Sequence, residues 1–98
     1  MTATDADLVA RHLDAEGRLA SMPVKHERRL LVLRHVAEAI PVGVELDEFA
    51  VNTLLRPLHA DVAMLRRYLV NEGLLDRPEP GRYVRPDPVR PAPAKIEA

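Results

Sequence analysis

Residues 58–85, LHADVAMLRRYLVNEGLLDRPEPGRYVR, contain the local signals from which the fold is predicted. Asp61 is a residue type that caps helix N-termini, and apolar residues then recur at helical spacing as far as Asn71. Gly73 suits the left-handed residue that commonly follows a helix. The turn Pro-Glu-Pro-Gly, residues 78–81, separates two short segments. It predicts a β-hairpin, because proline and glycine mark the turns between strands.

The segment before this stretch predicts a second helix that lies close to the first. Asp47 caps it, and it runs to about Leu55. The turn of residues 56–60 is short, so the two helices must cross steeply. Residues 42–46 alternate in character and predict one edge strand. The helix at 47–55 has four candidate buried residues: Phe49, Val51, Leu54 and Leu55.

Two more helices are predicted toward the N-terminus. Residues 25–39 follow one apolar helical face, which Pro41 ends. Thr4 with Asp7 three residues later predicts a capping box for a helix that ends near Gly17. This N-terminal helix is too short to be stable alone, so we expect it to dock on the rest of the chain.

Together these elements predict a mainly α fold: a winged helix-turn-helix with a three-helix core, a β-hairpin wing and an extra N-terminal helix. We expect the docked N-terminal helix in residues 1–16 and the winged domain in residues 17–85. Residues 86–98 are rich in proline, which predicts a disordered tail. The whole chain has 98 residues, room for one domain.

Charge and composition limit the possible functions. The net charge is −1, divided into −3 over residues 1–55 and +2 over residues 56–98. The bases from 56 to 90 are all arginine, whose fork binds phosphate or carboxylate. The chain has no cysteine, which excludes disulfides and thiolate zinc sites. The N-terminus has no basic or apolar leader and no apolar run reaches membrane length, so we expect a cytoplasmic protein.

The predicted fold suggests double-stranded DNA as the partner. A recognition helix in the major groove would read base edges, and a wing would hold the phosphate backbone. We expect Arg66, Arg67 and Asn71 to face the groove. Backbone contacts are expected from four more residues: His59, Arg77, Arg82 and Arg85. A homodimer fits a DNA reader of this size.

Two other functions stay open. The chain could be a non-enzymatic interaction module, a homodimer or the partner of a regulator, with Met64 and Val70 as its contact surface. Arg66 and Arg67 would then pair with Asp61 or Glu72 on the surface. The third function is small-ligand sensing beneath the N-terminal helix.

Other polar and aromatic residues have structural interpretations. We expect Asn52 and Asp61 to cap or bridge backbone groups near the tight turn. Tyr68 and Tyr83 are expected to bury their rings and keep the hydroxyl at the rim. The chain has no glycine-rich phosphate loop, and its only serine, Ser21, lies in no nucleophile motif. Its four histidines show no metal-ligand spacing. From these absences together we expect no enzyme activity, no cofactor and no metal.

Several short motifs carry a resemblance to a known family. They are Val51-Asn52, His59-Ala60-Asp61, Leu65-Arg66-Arg67-Tyr68-Leu69-Val70, Gly73-Leu74-Leu75-Asp76-Arg77 and Gly81-Arg82-Tyr83, with a weaker match at Met22-Pro23 and Arg28-Arg29-Leu30. Through them the stretch from about residue 17 to 85 resembles a bacterial family, domain of unknown function 2087. That family also occurs C-terminal to ArsR-type winged-helix regulators, so the resemblance implies a transcription-regulator setting but no activity.

The chain departs from that family at one aromatic position. Family members commonly carry an aromatic residue before the second helix, where this chain has Val44 or Leu46. We expect Phe49 to supply the missing volume from its new position.

Overall fold

The computed structural model describes residues 4–87, so most of the predicted proline-rich tail, residues 88–98, lies outside the described residues. Within the described residues there are four helices and three strands. Their order along the chain is α1 (Asp5–Ala10), α2 (His26–Ala37), β1 (Glu45–Asp47), α3 (Glu48–Leu55), α4 (Val62–Asn71), β2 (Asp76–Glu79) and β3 (Arg82–Val84).

The three strands form one antiparallel sheet in the order β1-β3-β2. In the hairpin between β2 and β3, Glu79 lies opposite Arg82, and Gly81 in the turn has a φ of 78°. On the other side of β3, Leu46 lies opposite Tyr83. Strand β3 is therefore central, and its inward face is available for packing against the helices.

The predicted fold class, a mainly α winged helix-turn-helix with a three-helix core, is wrong. Four helices make up 43% of the described residues and a three-stranded sheet accompanies them, so the fold is mixed α/β. The edge strand predicted at residues 42–46 is present as β1, at Glu45–Asp47. Its Leu46 lies opposite Tyr83, which is only 4% exposed, so the sheet contributes to the core.

The core lies between the sheet and helices α2, α3 and α4. Leu65 and Leu69 of α4 are fully buried, as their shared position on one helical face predicts. Contributions from the other elements complete the core: Leu19, Val32, Leu33, Val36, Ala37, Ile40, Val51, Leu55, Leu75 and Tyr83. Burial of these apolar side chains provides the main stabilisation of the fold.

Helix α1 has the predicted capping box, in which Thr4 and Asp7 each bond the other's backbone N–H. It packs on α2 through the buried Val9. The helix ends at Ala10 and not near Gly17. After Ala10 the backbone bonds tighten to i→i+3, and Leu13 pairs with Leu19, so residues 12–13 belong to an extended pairing and not to a helix. The Asp14 carboxylate accepts two backbone N–H groups in the turn that joins the pair.

Helix α3 corrects a second expectation. Asp47 caps it as predicted, accepting the Ala50 N–H at 2.8 Å. Phe49, however, is 77% exposed and does not fill the core. At 100° per residue it points away from the buried Val51 and shares the exposed face with Thr53.

The lengths of the helices bear on the sequence prediction that no segment spans a membrane. Over residues 4–87 the longest helix is α2, with 12 residues, and no helix there is both long and apolar enough to cross a membrane.

Candidate nucleic-acid interface

An open cleft of about 280 Å³ lies between the outer face of α4 and the hairpin, next to the start of α3. It brings together four of the residues that the sequence predicted for nucleic-acid binding: Arg66, Arg67, Asn71 and Arg77. The other lining residues are Glu48, Ala63, Val70 and Tyr83. The cleft is therefore built by three separate elements and not by α4 alone.

Helix α4 presents its polar residues because its apolar ones are anchored. Leu65 and Leu69 are buried in the core. Arg67 follows Leu65 by two residues, and Asn71 follows Leu69 by two residues. Both therefore lie on the opposite side of the helix and are exposed. Asp61 fixes the start of the helix by accepting the Met64 N–H at 3.0 Å. This confirms the capping role predicted for Asp61.

The inner wall of the cleft holds three linked side chains, which we call the Glu48–Arg66–Tyr83 cluster. Arg66 Nη1 donates to Glu48 Oε1 at 2.6 Å and to the Tyr83 hydroxyl at 3.1 Å. The same hydroxyl donates to Glu48 Oε1 at 3.2 Å. The guanidinium carbon lies 5.9 Å from the centre of the Tyr83 ring. These contacts join α3, α4 and β3 at one point.

The charge of the cleft is positive, with three arginines against one carboxylate. Arg67 and Arg77 are exposed, and over residues 4–87 neither of them forms a salt bridge. The alternative in which Arg66 and Arg67 pair with Asp61 or Glu72 is wrong. Asp61 caps α4, and the Glu72 carboxylate lies 2.9 Å from Nε2 of His26.

Comparison with known proteins matches residues 18–85 to a family model described as an uncharacterized protein conserved in bacteria, domain of unknown function 2087. The chain belongs to this family. All eight lining residues of the cleft fall within the matched segment, whereas α1 precedes it. The searches of curated proteins and of solved structures returned no match.

Three of the predicted nucleic-acid contacts lie outside the cleft of this family domain. His59 Nδ1 accepts the Asp61 N–H at 2.9 Å and so stabilises the turn before α4. Arg82 alternates with the inward Tyr83 along β3, so it faces outward, where its Nε is 3.8 Å from a Glu45 oxygen. Arg85 is half-buried and donates to the carbonyl of Ile40 at 2.8 Å. The hairpin therefore offers Arg77 to the cleft and uses Arg85 for its own attachment.

The capping role predicted for Asn52 is wrong. Asn52 is the fifth residue of α3, where backbone groups are already bonded within the helix, and Asp47 serves the first turn. Its side-chain carbonyl oxygen is buried and has no hydrogen-bond partner within residues 4–87.

Sequence reasoning missed Glu48 as a member of the site. Its position directly after Asp47 is explained by the favourable charge at a helix start, so its sequence context indicates nothing more. The ring of Tyr83 was expected to be buried with its hydroxyl at the rim, which the structure confirms. Glu48 and Tyr83 are 35 residues apart, and only the packing of α3 on the sheet shows that they meet.

A second hollow, of about 370 Å³, lies between α1 and α2. Its walls mix apolar residues such as Val9 and Leu31 with Asp5, Arg34 and Glu38. This is where the small-ligand alternative would place its ligand, and that alternative stays a prediction. Over residues 4–87 no three His, Cys, Asp or Glu side chains are grouped so that they could hold a metal ion.

Proposed function

We propose that this chain is a small, transcription-associated protein that binds double-stranded DNA without catalysing a reaction. The DNA lies against the outer face of α4 and the hairpin, with its phosphates at the arginine-lined cleft. The observation that carries the proposal is the convergence of Arg66, Arg67 and Arg77 with Asn71 on one open surface. The regulatory setting rests on the family resemblance and is part of the proposal.

The chemistry of these side chains supports a nucleic-acid partner. Arginine guanidinium groups bind phosphate oxygens with two parallel hydrogen bonds. An asparagine amide both donates and accepts, so Asn71 can contact a phosphate or a base edge. Arg67 and Asn71 are exposed on the same helix face and are one helical turn apart, a spacing suited to adjacent contacts.

The surroundings of the cleft also support the proposal. Helix α1 packs on α2 and does not line the cleft, so the surface that would meet DNA is left open. The chain as a whole has a net charge of −1, so the attraction must come from this local group of cations. We therefore expect moderate affinity and a strong dependence on salt.

An interaction module without autonomous DNA binding is the second candidate, because Phe49 is 77% exposed at the start of α3. Large exposed aromatic side chains commonly mark protein contacts. Its contact surface differs from the one expected from sequence, since Met64 and Val70 are half-buried and pack against the core. If the chain is an interaction module, its self-association depends on Phe49 and is lost in Phe49→Ser. Sedimentation of the wild-type and variant proteins would show this loss.

The test is a titration of a fluorescent 20-base-pair duplex, followed by polarisation over a series of salt concentrations. Three phosphate-neutralising arginines predict a slope of log K against log salt of about −2.7. Between 50 and 200 mM salt the affinity should then fall about 40-fold.

Two variants and a matched control locate the binding surface. Arg67→Ala and Arg77→Ala should each weaken duplex binding about fivefold or more. Arg11→Ala removes the same charge at the C-terminal end of α1, outside the cleft, and should have a much smaller effect. Equal losses in all three variants, or no duplex binding by the wild-type protein at low salt, would contradict the proposal.

A further inference from the structure

The Arg66 guanidinium is held in the wall of the cleft by two acceptors. Its side chain is 17% exposed, and Nη1 lies 2.6 Å from Glu48 Oε1 and 3.1 Å from the Tyr83 hydroxyl. A carboxylate and a phosphate are bound by the same planar donors of arginine. In the free protein, Glu48 therefore takes up a donor that a phosphate would otherwise use.

The remaining donors of Arg66 are not all satisfied. Its Nε is buried, and over residues 4–87 it has no hydrogen-bond partner. A buried donor without an acceptor is unfavourable. The guanidinium therefore gains a hydrogen bond if it can shift toward a ligand with several acceptor oxygens. A phosphate group provides such oxygens, whereas the Glu48 carboxylate reaches Arg66 through one atom.

The Glu48 side chain can move away from Arg66. Glu48 is the first residue of α3 and its side chain is 50% exposed, so its carboxylate can rotate into solvent and be hydrated. An ion pair with one half-exposed partner is weak. The helix start does not depend on Glu48 either, because Asp47 provides the cap.

We propose that Glu48 is a built-in competitor for phosphate, which occupies Arg66 in the free protein and is displaced when a phosphate group enters the cleft. This inference rests on the proposed function. Arg67 and Arg77, which line the same cleft, attract the phosphate, and Arg66 receives it as Glu48 rotates out. The Tyr83 hydroxyl, which donates to Glu48 in the free protein, then becomes available to the same phosphate.

The experiment compares Glu48→Gln with wild type in two arms: the fluorescent duplex and inorganic phosphate. Glu48→Gln removes the competing charge and keeps the shape, so the duplex should bind about three- to tenfold more tightly. Glu45→Gln is the matched control. It makes the same change in net charge three residues away, on the outward face of β1 beside Arg82, and should change affinity much less.

The phosphate arm follows the Arg66 Nε–H resonance by NMR. We expect this resonance to shift on addition of inorganic phosphate, with a lower midpoint concentration in Glu48→Gln than in wild type. If the wild-type protein binds duplex and Glu48→Gln binds no more tightly than Glu45→Gln, the competitor role is wrong and the proposed function stands. If neither protein binds duplex, the proposed function fails. The phosphate midpoints then decide the inference alone, and equal midpoints or an unmoved resonance would overturn it.

Discussion

Helix α4 begins at a side chain that acts as its N-cap. An Asp61 oxygen accepts the Met64 N–H at 3.0 Å, which satisfies one of the backbone donors that a helix start leaves free. Asp61→Ala removes this acceptor, and we expect the free energy of unfolding to fall by about 1 kcal/mol. Urea denaturation followed by circular dichroism measures the loss.

Asp61→Asn separates the hydrogen bond from the charge. Asparagine caps helices about as well as aspartate, so this variant should keep most of the stability. If both variants lost the same amount, the negative charge at the helix start would be the cause and not the cap.

Single residues of the cleft could be predicted only where local spacing determines their direction. Arg67 and Asn71 follow from the buried positions of Leu65 and Leu69 on the same helix. Glu48 could not be predicted, because its role depends on a contact with Tyr83 that is distant in sequence. Phe49 was misplaced for a different reason: its size suggested burial, although its local spacing from the buried Val51 on α3 places it on the exposed face.

At the scale of elements, the hairpin positions Arg77 at the cleft and depends on its turn. Gly81 has a φ of 78°, which L-residues rarely adopt, and a side chain added there would meet nothing within 4 Å. The cost of Gly81→Ala is therefore one of backbone conformation, and we expect a loss of about 1–2 kcal/mol in unfolding free energy. Thermal unfolding provides the measurement.

Gly81→Asn serves as the control for this prediction, because asparagine tolerates the left-handed conformation better than alanine does. We expect it to be the more stable of the two variants. The reverse order would mean that the turn does not hold this conformation in solution.

Elements with local signals were predicted well. Helix α4, with its cap and terminal glycine, and the hairpin follow from residues that are near one another in sequence. The turn is shorter than the predicted residues 78–81, because Pro78 and Glu79 belong to β2. The fold class was not predicted well, because it depends on the pairing of β1 with β3. That pairing places Leu46 against Tyr83, 37 positions along the chain, and no local pattern specifies it.

In the molecule as a whole, helix α1 is separate from the elements that form the cleft. Helix α1 packs on α2, whereas the cleft is formed by α3, α4 and the hairpin. The family match, residues 18–85, likewise includes the cleft and not α1. We therefore expect DNA to contact one side of the molecule and to leave the surface of α1 unchanged.

The most direct measurement of this claim is NMR mapping of backbone amide shifts during titration with a 20-base-pair duplex at low salt. We expect the affected amides to cluster in α4 and the hairpin, with those around Arg67 and Arg77 moving most. The amides of α1, around Val9, should stay in place. Shifts confined to α1 and α2, or no shifts at all, would contradict the assignment of the cleft as a nucleic-acid interface.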